Sequence, residues 1–185
     1  MERGLIFDQE PARVLDLGTG YSNVHLNIEQ VTVQETDIEG NVSDVVKYKS
    51  DVIRIANPAT EENILKQAKE QMIAEIQAYD KSDKVNQFTV QGQKIWVYRE
   101  LRAVLKMRLE AEKAAGKTET TLWYNDLSFS LPIVQAEQIL QALELYAAES
   151  YDVTAQHIVN VSVSTTADEV VNYNFRTGYP TKLEF

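Results

Sequence analysis

The stretch Val14-Leu15-Asp16-Leu17-Gly18-Thr19-Gly20, with residues 21–33 directly behind it, decides how the front of this chain folds. A strand that ends in a Gly-x-Gly turn leads either into a helix, whose N-terminus then faces an anion, or into a second strand. In Asn23-Val24-His25-Leu26-Asn27-Ile28 the apolar residues fall on every second position. That is the spacing of a strand with one buried face, and no three-and-four stripe runs through the segment. The glycines therefore read as a turn between two strands. Val31 and Val33 continue the alternation after a one-residue phase slip at Glu29-Gln30, which reads as a bulge. Asp37-Ile38-Glu39-Gly40-Asn41 is a turn, with Gly40-Asn41 suited to positive φ. Residues 45–55, rich in β-branched side chains, form the next strand, and Pro58 ends it.

Beyond Pro58 the period changes. Thr60 caps a helix with Glu61 and Glu62 in its first turn, where negative charge suits the helix dipole. Leu65, Ala68, Met72, Ile76 and Tyr79 form its apolar stripe. The polar run Asp80-Lys81-Ser82-Asp83-Lys84 marks a boundary between an N-terminal β-rich module, residues 1–80, and a C-terminal module, residues 84–185. The second module opens with a hairpin, residues 85–90 and 94–98, around Gln91-Gly92-Gln93. A helix follows with Leu101, Val104, Leu105 and Leu109 inward, closed by Gly116 as a left-handed cap. Residues 118–124 and 127–131 are extended around Asn125-Asp126. Pro132 starts a helix with Ala136, Ile139, Leu140, Leu143, Tyr146 and Ala147 on one face. Residues 151–163 read as a separate helix, and Thr166-Ala167-Asp168-Glu169 has the spacing of a capping box. The fold class is α+β.

Composition narrows the function classes. The 185 residues are 44% hydrophobic, enough for a packed core, and the formal net charge of −10 disfavours binding to nucleic acid or an anionic membrane. Cysteine is absent, which removes thiol nucleophiles and cysteine-based zinc sites. No apolar run approaches the roughly 18 residues of a membrane span, and residues 1–10 lack the layout of a signal peptide. The chain is accordingly expected to be made, without a membrane anchor, in a cytoplasm.

Candidate chemistry is sparse. The Val14–Gly20 segment is similar to the first motif of Rossmann-like methyltransferases, with Glu35 and Asp37 about 20 residues on, where an acidic group would bind the ribose. The absence of a helix directly after the glycines argues against S-adenosylmethionine binding. His25 and His157 are the two imidazoles, each expected on a polar surface, and no metal-ligand spacing joins them. No Gly-x-Ser-x-Gly elbow occurs, and the carboxylates of Glu61, Glu62, Glu110 and Glu112 lie on expected helix surfaces. No catalytic, cofactor-binding or metal-binding residue is assigned, and the chain is not expected to be an enzyme.

The aromatic residues carry a different signal. Leu122-Trp123-Tyr124, the run ending in Leu145-Tyr146-Ala147, Tyr151-Asp152-Val153-Thr154 with His157, and the ending Tyr173-Asn174-Phe175 with Gly178-Tyr179-Pro180-Thr181-Lys182-Leu183-Glu184-Phe185 resemble a domain of unknown function. That domain is found in proteins of tailed phages and prophages, including those of gut Bacteroidales. Phe88, Ile95-Trp96, Arg102 and Gly116 are similar to its front, so the resemblance spans about residues 84–185. Asn174 departs from it, standing where an acidic residue is expected.

The resemblance implies a virion component, a head or tail fibre or its attachment point, acting through contacts with other phage structural proteins and as a homo-oligomer. The expected location is the virion, after synthesis in the host cytoplasm. An assembly chaperone left out of the particle is the alternative, and the methyltransferase is third. The residues expected to meet a neighbour are Val24, Leu26 and Ile28, on a strand available for edge pairing, with Tyr179 and Phe185 in the tail.

Overall fold

A computed structural model describes residues 1–185 and has the α+β fold, with 39% helix and 32% strand. Four strands come first: β1 (Glu2–Phe7), β2 (Val14–Asp16), β3 (Tyr21–Thr36) and β4 (Val42–Ala56). They form an antiparallel sheet in the order β1-β4-β3-β2. Helix α1 (Glu61–Asp80) follows, then the hairpin β5 (Phe88–Val90) and β6 (Gln93–Ile95), helix α2 (Arg99–Ala114), a second hairpin β7 (Glu119–Tyr124) and β8 (Leu127–Pro132), and helices α3 (Ile133–Val163) and α4 (Ala167–Asn172).

Two compact units result, and neither is a continuous stretch of chain. The first comprises residues 1–76 and 157–175, the second residues 77–156 and 176–185. This differs from a single cut at 80–84, because the chain returns to the first sheet after α3. The Asn27 N–H donates to Asp168 at the start of α4, and the Arg3 guanidinium donates to the Val171 carbonyl.

In the first unit the buried residues come from β3 (Val24, Leu26), β4 (Ile53, Ile55), α1 (Ile64, Ala68, Met72, Ile76), the end of α3 (Val161) and α4 (Val170, Val171). The α1 stripe is centred on Ile64, not on Leu65, which is half-buried. Helix α4 starts at the capping box its sequence predicts, with Thr166 and Glu169 bonding reciprocally.

In the second unit both hairpins contribute to one apolar core with α2 and α3, built from Phe88, Val90, Ile95, Val97, Leu109, Phe129, Ile133, Ala136, Leu140 and Leu143. Gln91 and Gly92, with φ of 48° and 78°, make the two-residue turn of β5–β6 that requires positive φ at both positions. Gly116, with φ of 77°, closes α2 by two bonds, Lys117 N–H to the Glu112 carbonyl and Gly116 N–H to that of Lys113.

Two expectations about helices are corrected. α2 buries Arg102 and Leu109, while Val104 is exposed, because Arg102 turns inward. Its guanidinium donates to Glu144 at 2.8 Å and to the Val97 carbonyl at 2.7 Å, and it lies 5.7 Å from the centre of the Trp96 ring. Residues 133–163 form one helix, not two. Nothing between Ser150 and Tyr151 breaks it, and burial of Thr154, His157 and Val161 offsets the weak helix preference of β-branched residues.

Candidate functional site

Strands β3 and β4 are paired from Tyr21 opposite Ala56 to Thr36 opposite Val42, but their neighbours cover only part of that length. β1 reaches along β4 as far as Tyr48, and β2 pairs with residues 22–24 of β3. Beyond these limits residues 31–36 and 42–47 stand as a two-stranded ribbon with no third strand. At ~3.4 Å per residue the ribbon is about 20 Å long.

A bulge separates this arm from the sheet. Leu26 faces Asp51 and Glu29 faces Lys49, so Asn27 and Ile28 together oppose Ser50. The phase slip read at Glu29-Gln30 thus lies two residues earlier. Asn27 takes φ of 52°, which suits asparagine better than most side chains. Three bonds hold it there: its N–H donates to Asp168, its amide nitrogen to Asp51, and its amide oxygen accepts from Asn172. Asp51 also accepts from the Gly4 N–H, where β1 has its own irregularity.

The arm's far end is closed by Asp37. Its carboxylate accepts from the Glu39 N–H, the Asn41 N–H and the Asn41 amide, all at 2.9–3.0 Å. These bonds, the Asn41 side chain first, hold the carboxyl below its ordinary value. Gly40 supplies the positive φ, and Asn41 contributes through its side chain. Along the arm Lys47 lies between Glu35 and Asp8, and Lys49 meets Glu29 at 2.8 Å. The Glu35 and Glu29 carboxylates keep both ammonium groups charged above the ordinary lysine range. Apolar side chains are left uncovered: Ile38 is fully exposed, and Val42 and Val46 are at least half exposed.

The residues expected to meet a neighbour are placed differently from one another. Val24 and Leu26 are fully buried beneath the first unit's own helices and Ile28 is half-buried, so the alternation that singled them out marks the fold's core. Tyr179 is half-buried, its hydroxyl 3.0 Å from that of Thr154 and its ring 5.5 Å from Tyr79. Phe185 docks as an extended tail: its N–H donates to the Thr89 carbonyl, its carbonyl accepts from Gln91, and its ring meets Phe88 edge-on. It keeps 39% of its surface exposed. Sequence reasoning missed the arm itself, whose signal was the valines of residues 31–46 interleaved with acids on two strands of unusual length.

Both histidines are buried, against expectation. His25 lies 2.9 Å from the Ser50 hydroxyl with Phe7 edge-on against its ring, and burial lowers its pKa. His157 lies 2.7 Å from the Tyr173 hydroxyl, which also accepts from Asn160. Each imidazole is a satisfied core group. No group of three or more His, Cys, Asp or Glu is arranged to hold a metal ion, and no helix is long and apolar enough to cross a membrane.

No known family, curated protein or solved structure matches this chain. Its surfaces are therefore judged on their own chemistry. Gly18 and Gly20, with φ of 67° and 82°, turn β2 back into antiparallel β3, and Asp16 accepts from the Gly18 N–H. Strand β3, not a helix, begins directly after these glycines, so the strand–glycine turn–helix arrangement of a dinucleotide or S-adenosylmethionine site is not formed here. The second unit holds an apolar cavity of about 50 Å³ beneath Leu101, Leu105 and Trp123, far below the volume of a cofactor site. A groove of about 640 Å³ between α2 and α3 is lined by charges of both signs, of which Arg102 and Glu144 are already paired. The arm, with its uncovered valines and unpaired edges, is the surface best suited to engage another molecule.

Proposed function

We propose that this chain is a non-enzymatic structural protein of a bacteriophage particle, a fibre or fibre-attachment component that works through protein–protein contacts. The arm carries the reading. A two-stranded ribbon of this length is marginal alone in water, and its free edges invite a further strand. A ribbon fixed at its base by the Asn27 bulge and bare at its end fits a docking device. The similarity of residues 84–185 to the phage-associated domain supplies the context.

Quantitative mass spectrometry of density-purified phage particles from the source culture tests this. The expected result is a fixed ratio of this chain to the major capsid protein. Its presence in the lysate and absence from particles overturns the reading in favour of an assembly factor.

A further inference from the structure

We propose that two copies of this chain join edge to edge along β3, with Gln30-Val31-Thr32-Val33-Gln34 of one copy antiparallel to the same residues of the other. The inference rests on the reading that the arm engages a neighbour, and it names that neighbour and the register.

The ladder itself tells which backbone groups are free. In an antiparallel sheet alternate residues of a strand turn their N–H and C=O groups to one side, and the rest to the other. The His25 N–H donates to the Arg13 carbonyl and the Leu17 N–H to that of Tyr21, so before the bulge the odd residues of β3 face β2. The extra residue of the bulge reverses this. At the far end of the arm the Asp37 N–H donates to the Asn41 carbonyl, so beyond the bulge odd residues face β4 and even ones face outward. The Asn27 N–H is taken by Asp168. Past it, Gln30, Thr32 and Gln34 present their N–H and C=O groups to no partner.

The sequence of this edge names its occupant. Sheet edges are ordinarily blunted by charge, proline or a bulge, and residues 30–34 carry no charge and no proline. They also read the same in both directions about Thr32. A two-fold axis at Thr32 therefore sets Thr32 against Thr32, Val31 against Val33 and Gln30 against Gln34. The outward residues 30, 32 and 34 fall opposite one another, and each such pair can exchange two N–H···O bonds. Val31 and Val33 are half-buried and share a face with half-buried Val45, so pairing brings the valines of both copies side by side. The exposed Thr32 hydroxyls meet on the opposite face. The register also sets Glu29 opposite Glu35 of the second copy, but each already has an ion pair within its own chain, with Lys49 and Lys47. The outer edge of β4 is a poorer partner for itself. Its free outward residues are 42, 44 and 46, and a two-fold at their centre sets the exposed Asp44 against its own copy. A contact of β3 with β3 is isologous and closes at two copies.

Sedimentation of the purified full-length chain should show a dimer and nothing larger. Thr32→Pro removes the central outward N–H from each copy at once and leaves the β3–β4 ladder its own bonds. It should weaken the dimer at least about tenfold with no change in far-UV circular dichroism. The absence of cysteine allows the register to be read directly. Under mild oxidation Thr32→Cys should cross-link to itself, since opposed residues lie about 5.5 Å apart between Cα atoms, within disulfide reach. Gln30→Cys and Gln34→Cys should cross-link when mixed and poorly when alone. A chain monomeric at all accessible concentrations, a dimer indifferent to Thr32→Pro, or Gln30→Cys linking as well alone as in the mixture overturns the proposal. Because these tests use the purified chain and the particle test uses virions, either reading can fail without the other.

Discussion

The two halves of the β3–β4 ribbon share strands, pairing and β-branched composition, yet one is core and the other is arm. From Tyr21 to Leu26 the ribbon has β1 and β2 beside it and buries Val24, Leu26, Ile53 and Ile55. From Val31 to Thr36 it has no third strand, and its valines are half-buried or exposed. Strand formation and core formation are thus separate events. The first follows from backbone pairing and side-chain shape, and the second requires something to cover the faces.

The strongest attack on this contrast is a matched pair of truncations. Leu26→Ala is expected to cost about 2–5 kcal/mol, the range for emptying a closed core site. Val33→Ala on the arm is expected to cost less than about 1 kcal/mol. Equal shifts in urea unfolding would mean that the arm is covered after all.

Next in size is the hinge between the halves. Asn27→Ala removes the bonds to Asp51 and Asn172 and places alanine at φ of 52°, at an expected cost of about 1–3 kcal/mol. Asn27→Gly loses the same side-chain bonds but tolerates the backbone, so it should unfold later than the alanine variant. If the two are indistinguishable by thermal unfolding, the conformation at Asn27 is not what sets the bulge.

His25 gives a pH signature that belongs to the core half alone. Its folded pKa lies below the ordinary 6.5 because burial disfavours the imidazolium. The unfolded chain therefore binds a proton before the folded one does. The stability that neutral His25 supplies is complete above pH 6.5 and is lost as the pH falls through that value toward the lower folded pKa. The slope is at most about 1.4 kcal/mol per pH unit for one proton. Urea midpoints across this window should lose that component in His25→Gln; an unchanged slope would assign it to other groups.

The smallest global effect is expected at the arm tip. Asp37→Ala should leave the unfolding midpoint where it is while amide exchange in residues 31–45 speeds up, since the loop closes only on itself. A fall in the midpoint would show that the tip is coupled to the core.

Much of the fold was legible because local rules had no competitor. The alternation at residues 23–28, the glycine turn at 18–20, the capping box at Thr166 and the cap at Gly116 each rest on backbone chemistry within a few residues. What escaped depends on distant partners. Nothing near Val104 reveals that Arg102 turns inward to reach Glu144 on α3 and displaces it to the surface. The burial of His25 likewise depends on Phe7 from another strand. Val24 and Leu26 were read as contact residues because a strand face that packs on its own chain and one that packs on a neighbour carry the same pattern. The arm was hidden for the same reason: alternation identifies a face but not what lies over it.

The self-closed tip and the absence of a third strand beside the ribbon of residues 31–36 and 42–47 together make the arm's length a free variable. Inserting or deleting one residue pair on each strand would change its reach by roughly 7 Å and preserve which side chains share a face, because the side-chain period is two. A single-residue change would invert the faces instead. The ribbon behaves as an adjustable ruler whose zero mark is the bulge at Asn27, so the distance to whatever it touches can be retuned while the sheet behind it stays untouched.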